Sequence, residues 1–296
     1  MTPRRSILYM PGANARAMAK AKDLPCDAII FDLEDAVAPE AKASARSQVV
    51  ESINGGGYGY RELIVRANGL DTPWGADDVQ AVAGLDVDAV LFPKIERIKQ
   101  VEEIIQALDA AGAAQQALWL MVETPAGILD LRAVAGSSNR IQALVLGTSD
   151  LVKELRAEHT ESRSNIGYAL QRCLLVARSL DLDILDGVHL DFRNLDTFRG
   201  SCVNAKAMGF DGKTLIHPSQ IEIANEVFGI AADDLEHARA VLSVWQDAQK
   251  QGKGVAVLDG QLVENLHAAQ AERTISYAEA LEGRSGVRVK GQSRSS

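Results

Sequence analysis

The segment "IIFDLEDAVAP", Ile29–Pro39, drives an apolar run straight into Asp32, Glu34 and Asp35. Carboxylates this close repel one another and are poor strand formers. The reading is a buried strand that stops where its acids begin. The same pattern recurs along the chain, and the recurrence decides the fold.

Apolar runs fall at Ser6–Met10, Ala28–Phe31, Leu63–Arg66, Ala89–Phe92, Leu118–Glu123, Ala143–Leu146, Leu182–Leu185 and Gly212–Ile216. Most are continuous, not alternating, as in parallel strands buried on both faces. Between them lie segments such as Glu40–Ile53, Arg97–Ala111 and Asn165–Ser179, apolar at every third and fourth position. Eight strand–helix units over about 220 residues point to an α/β fold, a (β/α)₈ TIM barrel. An open doubly wound sheet is the alternative, and the count of eight favours the barrel.

After Ile216 the pattern changes. Ile221–Val227 and Asp233–Gln251 read as helices, and "GKGVAVLDGQLVEN" reads as a hairpin turning at Asp259-Gly260. A last helix is expected over Leu262–Leu281. The expected organisation is a barrel domain over residues 1–230, a helical and hairpin cap over 231–283, and a disordered Gly/Ser-rich basic tail over 284–296.

With 296 residues, 47% apolar and a net charge of −9, the chain has ample material for a core. That charge speaks against nucleic acid and anionic membranes as partners. No apolar run is long enough to span a bilayer. Three scattered cysteines form no metal or disulfide pattern, so a reducing cytoplasm is expected. Arg4, Arg5, Arg16, Lys20 and Lys22 fall among the first 22 residues with no acid between them. This is either a solvated helix face or a phosphate site.

Barrel chemistry sits at the C-terminal strand ends. There the chain carries Pro11-Gly12, the acids Asp32, Glu34 and Asp35, then Arg66, Pro93-Lys94, Glu123, Asp150, Asp186 and His217. Oxygen ligands without a His/Cys cluster favour Mg²⁺ over zinc, and Mg²⁺ takes only one or two carboxylates. Some of the Asp32 group therefore orient Arg66, Lys94 or water. Lys94 could also be a Schiff-base lysine, although Glu123 and Asp150 favour a metal route. "GGGYG" (Gly55–Gly59) precedes a strand where a dinucleotide loop would follow one, so it reads as a connecting loop.

"RRSILYMPG", "FDLEDAVAPEAK", "IVRANGLDT", "LFPKIE", "VETPAGI", "LGTSDL" and "GFDGKTLIHPSQI" occur here in one order. In that order the chain resembles the citrate lyase beta-subunit-like family of the HpcH/HpaI aldolase superfamily, which includes malyl-CoA and citramalyl-CoA lyases. The resemblance covers residues 4 to 280. It implies a barrel assembling as homotrimers or hexamers, with Mg²⁺ (Mn²⁺ as the alternative ion) on Glu123 and Asp150. It implies Arg66 as the substrate arginine, with Asp32, Glu34 and Asp35 around the metal's water shell. Pro125, Ala126 and Gly127 would line the 2-oxo acid pocket, together with the loop Lys153–Arg163. Arg5, Arg16 and Lys20 would meet the phosphates of coenzyme A.

The implied reaction is cleavage of a malyl-CoA or citramalyl-CoA type thioester to acetyl-CoA and a 2-oxo acid such as glyoxylate or pyruvate. The family carries an Asp in a C-terminal segment that folds over a neighbouring subunit. Here that position falls on Glu264, one methylene longer, and the catalytic set that the resemblance implies is Arg66, Glu264 and Asp32. Thioester hydrolysis or a malate-synthase-like condensation on the same scaffold is one alternative. A citrate lyase beta subunit working with an acyl-carrier partner is another.

Overall fold

The computed structural model describes residues 2–284. Eight parallel strands close into a barrel in chain order: β1 (Ser6–Pro11), β2 (Ala28–Asp32), β3 (Glu62–Arg66), β4 (Ala89–Phe92), β5 (Ala117–Val122), β6 (Ile141–Leu146), β7 (Asp183–Asp186) and β8 (Gly212–Leu215). The helices between them are α1 (Ala15–Ala21), α2 (Lys42–Asn54), α3 (Gly75–Val82), α4 (Ile98–Ala110), α5 (Pro125–Ala135), α6 (Thr148–Glu154), α7 (Gly167–Ser179) and α8 (Leu195–Met208), with α9 (Ile221–Val227) after β8. The chain is a (β/α)₈ TIM barrel.

Two cores explain the continuous apolar runs. Ile7, Ile30, Ile64, Leu91, Trp119, Met121, Val145 and Leu185 fill the barrel interior, with Tyr9 packed against them. Their alternates, among them Leu8, Phe31, Val65, Phe92, Leu120, Leu144 and Leu215, face the helices. Most of the strands are apolar on both faces because both faces are buried.

The same alternation fixes which strand-end groups enter the barrel. Asp32 follows Ile30 by two residues, Arg66 follows Ile64, and Glu123 follows Met121, so all three continue the inward face. Asp186 follows the inward Leu185 by one and faces the helices. It is fully buried there, paired with Lys213 of β8 at 2.5 Å and Arg163 at 2.7 Å. The eighth-strand His217 stacks on Phe192 with ring centroids 4.9 Å apart.

Residues 229–284, with residues 2–3, form a second compact unit. It holds α10 (Ala232–Lys250), the hairpin β9 (Ala256–Leu258) and β10 (Gln261–Val263), and α11 (Asn265–Glu282). Ala238, Val241 and Trp245 pack against Val263, Ala268 and Ala271. The hairpin turns at Asp259 and Gly260, both at positive φ (49° and 79°). The last helix starts three residues later than its periodicity indicates, because Leu262 and Val263 pair in the hairpin. The tail expected to be disordered lies outside the described residues from 285 on. No helix among the described residues is long and apolar enough to cross a membrane.

Candidate active site

The acidic loop after β2 is built around one carboxylate. Asp32 Oδ1 accepts the N–H of Glu34 (2.8 Å) and Oδ2 that of Ala36 (3.2 Å), which turns the chain at the strand end. Both oxygens also receive Arg66, Nε at 2.7 Å and Nη2 at 2.6 Å. The ladder between β2 and β3 sets Asp32 directly beside Arg66, so the fork closes without any loop movement. Arg66 Nη1 meets Glu34 at 3.1 Å and Asp35 at 4.0 Å, and the guanidinium lies 5.0 Å from the centre of the Tyr9 ring. Asp32 thus holds the arginine; Glu34 and Asp35 ring it.

A buried lysine supports the loop from behind. Lys42 Nζ donates at 2.8 Å to each of Leu33 O, Glu34 O and Asn68 Oδ1. Asn68 in turn donates to Leu33 O and to Asp78, which Arg46 pairs at 2.7 Å. Burial holds the Lys42 ammonium below its ordinary pKa, with the nearby acids opposing that shift.

Glu123 stands just beyond β5, 2% exposed. One oxygen accepts the N–H of Lys94 at 2.8 Å, yet the carboxylate makes no ion pair among the described residues. Burial, reinforced by the neighbouring Asp150 and Glu34, pushes its pKa up to about 7. Gly147 packs against it so closely that a Cβ there would lie 2.4 Å from Glu123 Oε2. Gly147 precedes α6, whose first turn carries the half-buried Asp150, also without an ion-pair partner among the described residues. A buried carboxylate lacking a cation, beside a second carboxylate, fits a hard divalent ion that fills its remaining positions with water and substrate oxygens. No group of three or more His, Cys, Asp and Glu that could hold a metal occurs among the described residues.

Pro125, Ala126 and Gly127 form the first turn of α5, where Gly127 N–H is taken by the Thr124 side chain at 3.1 Å. Arg16 and Lys20 are exposed on α1 and form no ion pair among the described residues. Arg5 requires correction as a phosphate group. It precedes β1, at the end of the barrel opposite Asp32, and both its Nε and Nη2 bond Asp27 at 3.0 and 2.9 Å. Glu264 lies in the second unit as the N-cap of α11, its N–H donated to His267 Nδ1 at 3.0 Å. Lys94, read at its strand end as a partner of the acidic loop, does pair with Glu34 at 3.4 Å, whereas Lys42 and Tyr9 carry no motif signal. The signal for Tyr9 is its inward register in "SILYMP", two residues after Ile7.

The profile of the HpcH/HpaI aldolase/citrate lyase family matches residues 5–218. A (3S)-malyl-CoA thioesterase of Cereibacter sphaeroides is 44% identical over 279 residues, covering 94% of this chain and 96% of the relative. A citrate lyase subunit beta of Escherichia coli is 34% identical over 291 residues, covering 96% and 95%. The solved protein CitE from Mycobacterium tuberculosis, in complex with magnesium, acetoacetate and coenzyme A, superposes with a TM-score of 0.73 at 27% identity, covering 94% of this chain and 98% of that one. The chain belongs to the HpcH/HpaI aldolase/citrate lyase family.

Proposed function

We propose that this protein is a Mg²⁺-dependent enzyme acting on a malyl-CoA-type 3-hydroxyacyl thioester. The carrying observation is the buried Glu123 beside Asp150, without an ion pair among the described residues, on the rim where Asp32 clamps Arg66. Glu123 and Asp150 are the residues that would hold the ion. When bound, Mg²⁺ polarises the hydroxy-acid end of the substrate as a Lewis acid.

Arg66 is held so that its guanidinium can take the thioester oxygen as negative charge gathers there. Preorganised donors of this kind are worth about 3–4 kcal/mol of barrier. Asp32 keeps that guanidinium fixed and Lys42 keeps the loop fixed, so little reorganisation is needed during reaction. Arg16 and Lys20 are the cations available to coenzyme A phosphates.

Two reactions build charge on the same oxygen. Thioester hydrolysis to the free hydroxy acid and coenzyme A is the first reading, supported by the thioesterase relatives at 44% identity. Carbon–carbon cleavage to acetyl-CoA and a 2-oxo acid is the second, supported by membership in a family of aldolases and citrate lyases. Each requires a carboxylate to move a proton, and Glu264 is the candidate, supplied to a neighbouring copy in a homotrimer or hexamer. Val255, Val257, Leu262 and Leu266, exposed around it in the second unit, support that docking.

The test follows free thiol and acyl-CoA products from (3S)-malyl-CoA with Mg²⁺, with Mn²⁺ and with EDTA. Thiol release lost in EDTA is expected for hydrolysis, and acetyl-CoA without thiol release would replace it with the lyase reading. Turnover that survives EDTA would contradict both. Glu264→Ala in the same assay, with light scattering for assembly, is expected to lose turnover. Full activity would remove Glu264 from the site.

A further inference from the structure

Lys94 has a backbone that a lysine rarely adopts. Its φ is 51°, in the left-handed region, where a non-glycine residue is strained and persists only if its surroundings enforce it. They do so here. Gln100 Oε1 accepts the N–H groups of Glu96 (2.9 Å) and Arg97 (3.0 Å), while its Nε2 donates to Lys94 O (3.2 Å). From the other side α5 packs so tightly that a Cβ on Gly127 would lie 2.6 Å from Ile95 O.

This locked turn aims two groups of one residue into the site. The Lys94 N–H meets Glu123, and its ammonium leans over the rim to Glu34 Oε1 at 3.4 Å. Arg66 holds the other oxygen of Glu34, so that one carboxylate spans the two cations of the rim. The two are unequal. Arg66 is buried and committed to Asp32, whereas the Lys94 side chain is 52% exposed with a single long ion pair.

Asp32, Glu34, Asp35, Glu123 and Asp150 set five carboxylates against these two cations. With Lys42 behind the loop, a divalent ion brings the recess only to balance, so a second anion on the substrate needs a cation that can reach it. Lysine's flexible stem lets its point charge leave Glu34 for an incoming carboxylate, which the fixed Arg66 fork cannot do.

We propose that Lys94 recognises the free carboxylate of the hydroxyacyl group and so sets a preference for dicarboxylate-derived thioesters over neutral ones. This rests on the functional reading above and adds to it the residue that reads the acid end.

The experiment uses the full chain with Lys94→Gly, which keeps the left-handed backbone and its N–H, and Lys94→Met, which keeps the stem. Losing a charged hydrogen bond is expected to raise KM for (3S)-malyl-CoA about 10- to 100-fold in both variants. KM for 3-hydroxybutyryl-CoA, which carries a methyl in place of the carboxylate, should stay put. Calorimetric binding of acetyl-CoA and of Mg²⁺ alone should also be unchanged. An unchanged KM for malyl-CoA overturns the proposal, as does a parallel loss of acetyl-CoA affinity. Lost Mg²⁺ binding in Lys94→Gly would make the residue a support for Glu123 instead. A wild-type protein that neither binds nor turns over malyl-CoA overturns the functional reading and this inference together. Wild-type turnover with unaltered variants overturns the inference alone.

Discussion

Glu123 is buried with one backbone donor and no ion pair among the described residues, an arrangement that costs free energy unless a ligand offsets it. Its position depends on Gly147 having no side chain, since a Cβ would lie 2.5 Å from Glu123 Cβ. Gly147→Ala must therefore push the carboxylate off its place. The expected result is a drop of about 10²-fold or more in Mg²⁺-dependent kcat, as small misplacements give. Circular dichroism should match wild type, and an unaltered kcat would mean that Glu123 is not held by this contact. Asp32 answers a different need. It spends its lone pairs on its own loop and on Arg66, so the acids of "FDLEDAV" divide their work between building the loop and tuning the arginine.

At the scale of elements, the strands were legible because burial on both faces leaves continuous apolar runs. The face of each strand-end group was not, since a run apolar on both sides carries no alternation to read. Asp186 shows the consequence: one residue of register moved it from the rim to the layer between barrel and helices. There burial pushes its pKa up, but Lys213 and Arg163 outweigh burial and hold it below the ordinary 3.8. The folded chain thus releases this proton more readily than the unfolded one. The stability it gives is complete above the unfolded value and is lost as pH falls through the native value. Asp186→Asn strands Lys213 as a buried, uncompensated charge and should cost about 3–5 kcal/mol at neutral pH. Urea unfolding is the measurement, and the variant's stability should also fall less steeply below pH 3.8. A loss under about 1 kcal/mol would show that the pair is solvated. The late start of α11 has a similar cause, because helical periodicity cannot reveal that Leu262 and Val263 are taken by a hairpin partner.

At the scale of the molecule, the barrel brings Asp32, Arg66, Glu123 and Asp150 to one end from four separate strand ends, as strand order and the C-terminal rule foretold. Arg5 was out of reach of that reasoning. Its motif neighbours are rim residues, but it sits before the strand, not after it, and its charge is spent on Asp27. Lys94 was legible at its strand end as a partner of the acidic loop, but its left-handed backbone leaves no trace in composition or spacing. The central claim is that the Glu123 and Asp150 carboxylates make this rim a divalent-ion site. Isothermal titration of Mg²⁺ into metal-free wild-type protein, Glu123→Ala and Asp150→Ala tests it most directly. One site per chain in the wild type and none in either variant is the expected result, whereas equal binding by all three proteins, or by none, would contradict it.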